Sequence, residues 1–139
     1  MVLNKQKWRM TDDNEIIKKH CAEIKNLLSQ SYWAKNRPIE VIEKSVEQSL
    51  CFAIFDVEKD VMVAFARVIT DYATMYYLCD VIVDEKYRGN GLGKMLVDWI
   101  ANKEDKLKVQ YGVLLTSDAQ GLYSQFGFSE YEKSCMCKF

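Results

Sequence analysis

The sequence predicts a mixed α/β fold, a single sheet with helices packed on it. Two runs of helically spaced apolar residues, one before residue 50 and one after residue 90, flank three consecutive β-rich runs joined by short polar turns. A last segment alternates apolar and polar residues with a period of two. Three adjacent strands with short turns predict an antiparallel meander, so the sheet is expected to be mostly antiparallel.

The elements follow in order. Trp8 to Thr11 reads as a short first strand, after which Asp12 or Asp13 caps a helix. Ile17, Cys21, Ile24 and Leu28 give that helix one apolar face. A loop from Ser29 to Arg37 carries Tyr32 and Trp33, and Pro38 suits the first turn of a second helix buried through Ile39, Ile42 and Val46. Leu50 to Asp56, Val61 to Thr70 and Met75 to Val83 are the three strands, the last interrupted by one acid, Asp80. Leu92, Met95, Leu96, Trp99 and Ile100 are helix-spaced. Val113 to Thr116 reads as a short strand, and Asp118 is a candidate cap for a helix through Leu122 and Tyr123. Tyr131 to Phe139 closes the chain as a strand near a sheet edge.

The 139 residues are read as one domain, 1–139, because no linker, repeat or low-complexity stretch divides them. A formal net charge of -1 supplies no field that would draw nucleic acid or an acidic membrane. No apolar run approaches the ~20 residues of a membrane span, and the first residues lack the apolar core of a signal peptide. The five cysteines, Cys21, Cys51, Cys79, Cys135 and Cys137, are odd in number and irregular in spacing. Reduced thiols in a cytoplasmic protein are therefore expected rather than a disulfide framework. No metal site is expected, since tetrahedral zinc wants four ligands at recognisable spacing and His20 is the one histidine.

The chemistry concentrates in Asp84 to Lys94, where a strand ends, a glycine-rich turn follows and an amphipathic helix begins. Glycines allow strained backbone angles and close approach of a ligand. The first N–H groups of a helix lack internal partners, and its positive end favours an anion. With Arg88 and Lys94 beside them, Gly89, Gly91 and Gly93 form a candidate pyrophosphate cradle; the alternative is a tight strand-to-helix turn and nothing more. A P-loop is excluded, because Arg88 stands where its first glycine should be and Met95 where Ser or Thr should be. A dinucleotide fingerprint is excluded because the third glycine comes one place early.

Arg88-Gly89-Asn90-Gly91-Leu92-Gly93 resembles the [QR]-x-x-G-x-[GA] signature of the GNAT-type N-acetyltransferase superfamily. Asp118 to Phe128, with Tyr123 three residues before Gly127-Phe128, is similar to that family's A-x-x-[LF]-Y-x-x-x-G-F segment with one spacer residue fewer. The resemblance is strongest from Leu78 to Phe128. It implies a GNAT-like fold and acetyl-CoA as acyl-donor cosubstrate, with no metal, and an amine as acceptor. It further implies that the backbone from Arg88 to Lys94 holds the diphosphate, and that Val81, Ile82 and Val83 pair with the pantetheine arm beside a splay between two strands. Many members carry Asn near the end of the strand before the Tyr helix; here Thr116 or Ser117 is the candidate for that contact.

A tyrosine with pKa near 10 can protonate a departing thiolate of pKa near 8.5. The family match assigns this role, and a place against CoA, to Tyr123, against the alternative of a packing tyrosine. Asp80 is the candidate base, on the expectation that burial raises its pKa; the alternative is an ion pair with an arginine such as Arg67. Asp71 is the reserve, with a turn role competing. Tyr32, Trp33 and Phe65 are candidates for the acceptor wall, each with core packing as the competing reading. The expected function is acetyl transfer to a primary amine of a small molecule or peptide by direct attack in a ternary complex. A non-catalytic acyl-CoA sensor or docking domain is the alternative, because fold does not fix function. An exposed edge on the last strand suggests a homodimer.

Overall fold

The computed structural model describes residues 6–131 and 135–139. Five strands form one sheet in the order β1-β2-β3-β4-β5: Trp8–Thr11, Leu50–Asp56, Val61–Thr70, Met75–Val83 and Tyr111–Leu114. The first four are antiparallel neighbours, and β5 adds parallel to β4. The mixed, mostly antiparallel sheet expected from the sequence is the one observed.

Strand periodicity sorts the core into two layers. In β2, Cys51, Ala53 and Phe55 face one side while Leu50, Phe52 and Ile54 face the other. The first side is covered by α1 (Asn14–Ile17), α2 (Cys21–Leu28) and α3 (Ile39–Glu47) through Ile17, Ile24, Leu28, Ile42 and Val46. The second is covered by α4 (Leu92–Asp98) and its wider π-turn continuation, Trp99–Lys103. Leu92, Leu96 and Ile100 are buried there, and Trp99 meets Phe52 edge-on with ring centroids 4.9 Å apart. Each such large side chain contributes roughly 1.5–3 kcal/mol by leaving water. No helix among the described residues is long and apolar enough to cross a membrane.

Several boundaries differ from expectation. The first helix is broken by a tight turn at Lys18–His20, although Ile17, Cys21, Ile24 and Leu28 are all buried. Asp13 is its cap, with a carboxylate oxygen accepting from the Glu15 amide. Pro38 stands just before α3 with an extended ψ of 151°, not inside its first turn. Strand β5 is displaced to Tyr111–Leu114, where it pairs with Met75 to Leu78 at the start of β4. Helix α5 spans Gln120–Ser124 and is preceded by Ala119, so Asp118 is not its cap. The expected closing strand is absent from Cys135 to Phe139, which carry no regular structure, and residues 132–134 lie outside the described residues. The edge on which a homodimer was expected is therefore not formed by the described part of that segment.

Candidate active site

The site begins where two strands part. Parallel pairing of β4 with β5 stops at Leu78 opposite Leu114, yet β4 runs on to Val83. The opening is an open cleft of about 1470 Å³ whose walls include Val81, Ile82 and Val83. Asp80 interrupts β4 with φ 53°, and the register with β3 shifts there, between Phe65 and Arg67. Such a bulge re-aims the strand, and aspartate tolerates the left-handed region better than most residues.

At one end of the cleft, β4 leads into the glycine turn. Gly89 and Gly91 have φ 84° and 75°, where other residues are strained. A Cβ added at either would meet nothing within 4 Å, so conformation rather than crowding calls for glycine. Gly93 has ordinary helical geometry; its added Cβ would sit 3.8 Å from Leu122 and Val83, in normal contact. Two glycines, not three, are therefore required by the backbone. The turn is tethered: the Tyr87 hydroxyl donates to Asp56 at 2.9 Å, and Asn90 donates to the Tyr87 carbonyl at 2.8 Å. Arg88, Gly89, Gly91, Leu92, Gly93 and Lys94 line the cleft. Asn90 does not, its amide being spent on the turn.

At the other end Asp80 gathers three donors. Trp33 Nε1 reaches Oδ1 at 3.0 Å, while Arg37 Nη1 and Arg67 Nε reach Oδ2 at 2.7 and 2.9 Å. The Asp80 side chain is 3% exposed. Burial alone would raise its carboxyl, but the hydrogen bonds and charges of Arg37 and Arg67 outweigh burial and hold it below the usual carboxylate range. The expectation of a raised Asp80 is thus reversed, and the ion pair with Arg67 is present. Arg37, a second partner, went unremarked in the sequence because 43 positions separate it from Asp80.

The loop after α2 supplies an aromatic wall. Tyr32 and Trp33 meet edge-on at 5.1 Å, and the Tyr32 hydroxyl shares a 2.6 Å hydrogen bond with Ser117 Oγ. Thr116 also lines the cleft, but its Oγ1 accepts from the Ala119 amide at 3.0 Å. Tyr123, on α5, lines the same cleft. Burial first, then the negative charge of Asp118 and the nearby Tyr32, push its phenol up to about 12.

Two candidates lie elsewhere. Phe65 is 1% exposed and packs in the core beneath α1–α3, because its place on β3 faces that layer. Asp71 organises the β3–β4 turn, its carboxylate accepting from the amides of Ala73 and Thr74 and from the Thr74 hydroxyl. Neither lines the cleft. Cys79 does, yet burial raises its thiol to about 11, which makes it a poor nucleophile. Among the described residues no group of three or more His, Cys, Asp or Glu is arranged to hold a metal ion.

A family model described as an acetyltransferase (GNAT) domain matches residues 47–130. A solved GNAT-family protein from Xanthomonas campestris pv. campestris, described as a putative acetyltransferase, is 36% identical, with 98% of this chain and 95% of that chain covered and a TM-score of 0.85. Glucosamine-6-phosphate N-acetyltransferase from Arabidopsis thaliana is 19% identical over 96% and 99% of the two chains, with a TM-score of 0.73. Ribosomal-protein-alanine N-acetyltransferase from Brucella melitensis is 18% identical over 95% and 97%, with a TM-score of 0.70. These last two share the fold at identities that carry nothing about acceptor. A comparison with functionally curated proteins finds no match. The parted strands, the glycine turn and the extent of these matches lead to one conclusion: the chain belongs to the GNAT family of acetyltransferases.

Proposed function

We propose that the chain transfers an acetyl group from acetyl-CoA to a primary amine of a small molecule or peptide, by direct attack within a ternary complex. The observation that carries this reading is the end of β4–β5 pairing at Leu78 and Leu114, which leaves Val81 to Val83 along a cleft running from the glycine turn to Tyr123. In this reading the amides of Gly89 to Lys94, with Arg88 and Lys94, hold the diphosphate. The free edge of β4 pairs with the pantetheine arm, and its N–H groups stabilise the oxyanion on the attacked carbonyl.

The amine attacks in its neutral form, a fraction of about one part in a thousand or fewer at pH 7 for an alkylammonium of pKa near 10.4. Its proton leaves to water in the open cleft. As the carbon–sulfur bond breaks, Tyr123 gives its hydroxyl proton to the departing thiolate and recovers one from solvent. A phenol held near 12 is fully protonated at neutral pH, as a proton donor must be. Asp80, kept ionised and occupied by three donors, is a weak proton acceptor. Its role in this reading is to orient Trp33 and Arg37 beside the bulge.

Incubation with acetyl-CoA and a panel of amines, with free thiol followed over time, tests the proposal. Acceptor-dependent thiol release supports it. Binding of acetyl-CoA without such release would instead identify an acyl-CoA sensor.

A further inference from the structure

The charges on the cleft wall are not evenly spread. At the bulge, two guanidinium groups face one carboxylate, so the cluster of Arg37, Arg67 and Asp80 carries a net positive charge. Arg67 is committed, giving Nε to Asp80 and Nη1 to Ser49 Oγ at 3.1 Å, and its side chain is 13% exposed. Arg37 gives only Nη1 to Asp80, and its side chain is 22% exposed on the cleft wall. Its remaining N–H groups have no other partner among the described residues. A planar guanidinium held in place with donors to spare is the group best suited to take a carboxylate or phosphate.

The other charges along the cleft complete the pattern. Arg88 and Lys94 stand at the glycine turn, beyond the far end of β4, and belong to the diphosphate in the reading above. Glu85 lies next to that turn, its amide held by Gln30 at 3.0 Å. Asp118 lines the same cleft as Tyr123, five residues earlier in the chain, so it suits a cationic group near the proton donor. Between Asp80 and Asp118 runs the aromatic bridge, Trp33 bonded to Asp80 and Tyr32 bonded to Ser117.

We propose that the acceptor amine carries an anionic group, a carboxylate or a phosphate, which is read by Arg37 while the amine lies toward Asp118 and Tyr123. This rests on the acetyltransferase reading. It narrows the acceptor to a dipolar molecule, cationic at one end and anionic at the other, and disfavours polyamines.

The test compares acceptors matched in length. With acetyl-CoA present, 4-aminobutyrate should exceed n-butylamine in kcat/KM by roughly tenfold or more, the size of one charge-assisted contact, and 1,4-diaminobutane should fall below both. The pair 2-aminoethyl phosphate and ethylamine separates phosphate from carboxylate. Arg37→Gln should bring the aminobutyrate-to-butylamine ratio toward one, and Arg37→Lys, which keeps the charge but not the planar fork, should fall between Arg37→Gln and the wild type, with Tm confirming that both variants fold. Equal rates for 4-aminobutyrate and n-butylamine, a preference for 1,4-diaminobutane, or a ratio untouched in Arg37→Gln would overturn the inference. Calorimetric titration of the CoA-loaded protein with the same amines reads Arg37 without turnover, and uptake indifferent to the anionic group overturns the inference by itself. Failure of the underlying reading looks different: no heat with acetyl-CoA and no thiol released to any amine.

Discussion

The indole of Trp33 donates to the Asp80 carboxylate at 3.0 Å across 47 positions of sequence. That bond ties the loop after α2 to the bulge in β4, and two arginines complete the cluster. Asp80 is the point at which that loop and the sheet are joined.

Replacing Asp80 by Asn tests this directly. Asn keeps the side-chain shape and tolerates the left-handed φ of 53°, so the change isolates the charge. Removing one partner of a buried ion cluster costs up to about 3–5 kcal/mol, and the partial exposure of Arg37 and Arg67 places Asp80→Asn toward the lower end. The pH dependence follows from the lowered carboxyl. The unfolded group titrates near 3.9 and the folded one below it, so the stabilisation is fully present above that range and is lost as pH falls through the folded value. Denaturant midpoints measured from pH 5 down to about 2 should fall more steeply for the wild type than for Asp80→Asn. A base role for Asp80 would instead appear as loss of the acidic limb of kcat/KM in the variant.

Tyr123→Phe should lower kcat by roughly 10²–10⁴-fold, the span of general acid catalysis, with acetyl-CoA uptake nearly unchanged by calorimetry. Because the phenol titrates near 12, the wild type should show no alkaline loss of kcat from this group up to pH 10. Unchanged turnover in Tyr123→Phe across that range would remove the residue from the chemistry.

At Gly91 the backbone and the ligand can be separated. The φ of 75° with open space around it predicts that Gly91→Ala loses about 1–2 kcal/mol of stability from conformation alone, and Gly91→Asn less. Gly91→Glu adds a negative charge where a diphosphate is proposed. Its Kd for CoA should rise well beyond that of Gly91→Ala, as titration calorimetry would register.

At Gly112 on β5 the ring of Tyr76 from β4 crosses over the backbone. A Cβ there would lie 2.2 Å from Cζ of Tyr76, and Tyr76 is buried. Gly112→Ala should cost about 1–3 kcal/mol or more through overpacking. Adding Tyr76→Leu should recover part of that loss in urea melts, since it removes the opposing ring atoms. Strictly additive costs would show that the two positions do not meet.

The elements with strong local signals were legible in the sequence. The three central strands match Leu50 to Asp56, Val61 to Thr70 and Met75 to Val83 because branched and aromatic residues run unbroken between polar turns. The glycine turn was legible because φ above zero selects its own residue type. Asp118 is not the cap, because Thr116 takes the Ala119 amide and the helix begins one residue later; the strand starts before Val113, because Tyr111 and Gly112 pair with Met75 and Tyr76 of β4, a partner 36 positions away. Phe65 and Asp71 were drawn to the site by residue type alone, and the face of β3 and the turn after it assign them otherwise.

Local pattern by itself determined the order of elements from the first strand to the helix of Tyr123 and the place of the glycine turn, because period, turn chemistry and backbone sterics act within a few residues. Only the tertiary structure decided the state of Asp80. Its charge depends on Trp33 and Arg37 from the loop after α2 and on Arg67 from β3, all brought to Asp80 on β4, and no spacing along the chain encodes how many donors will converge on one carboxylate.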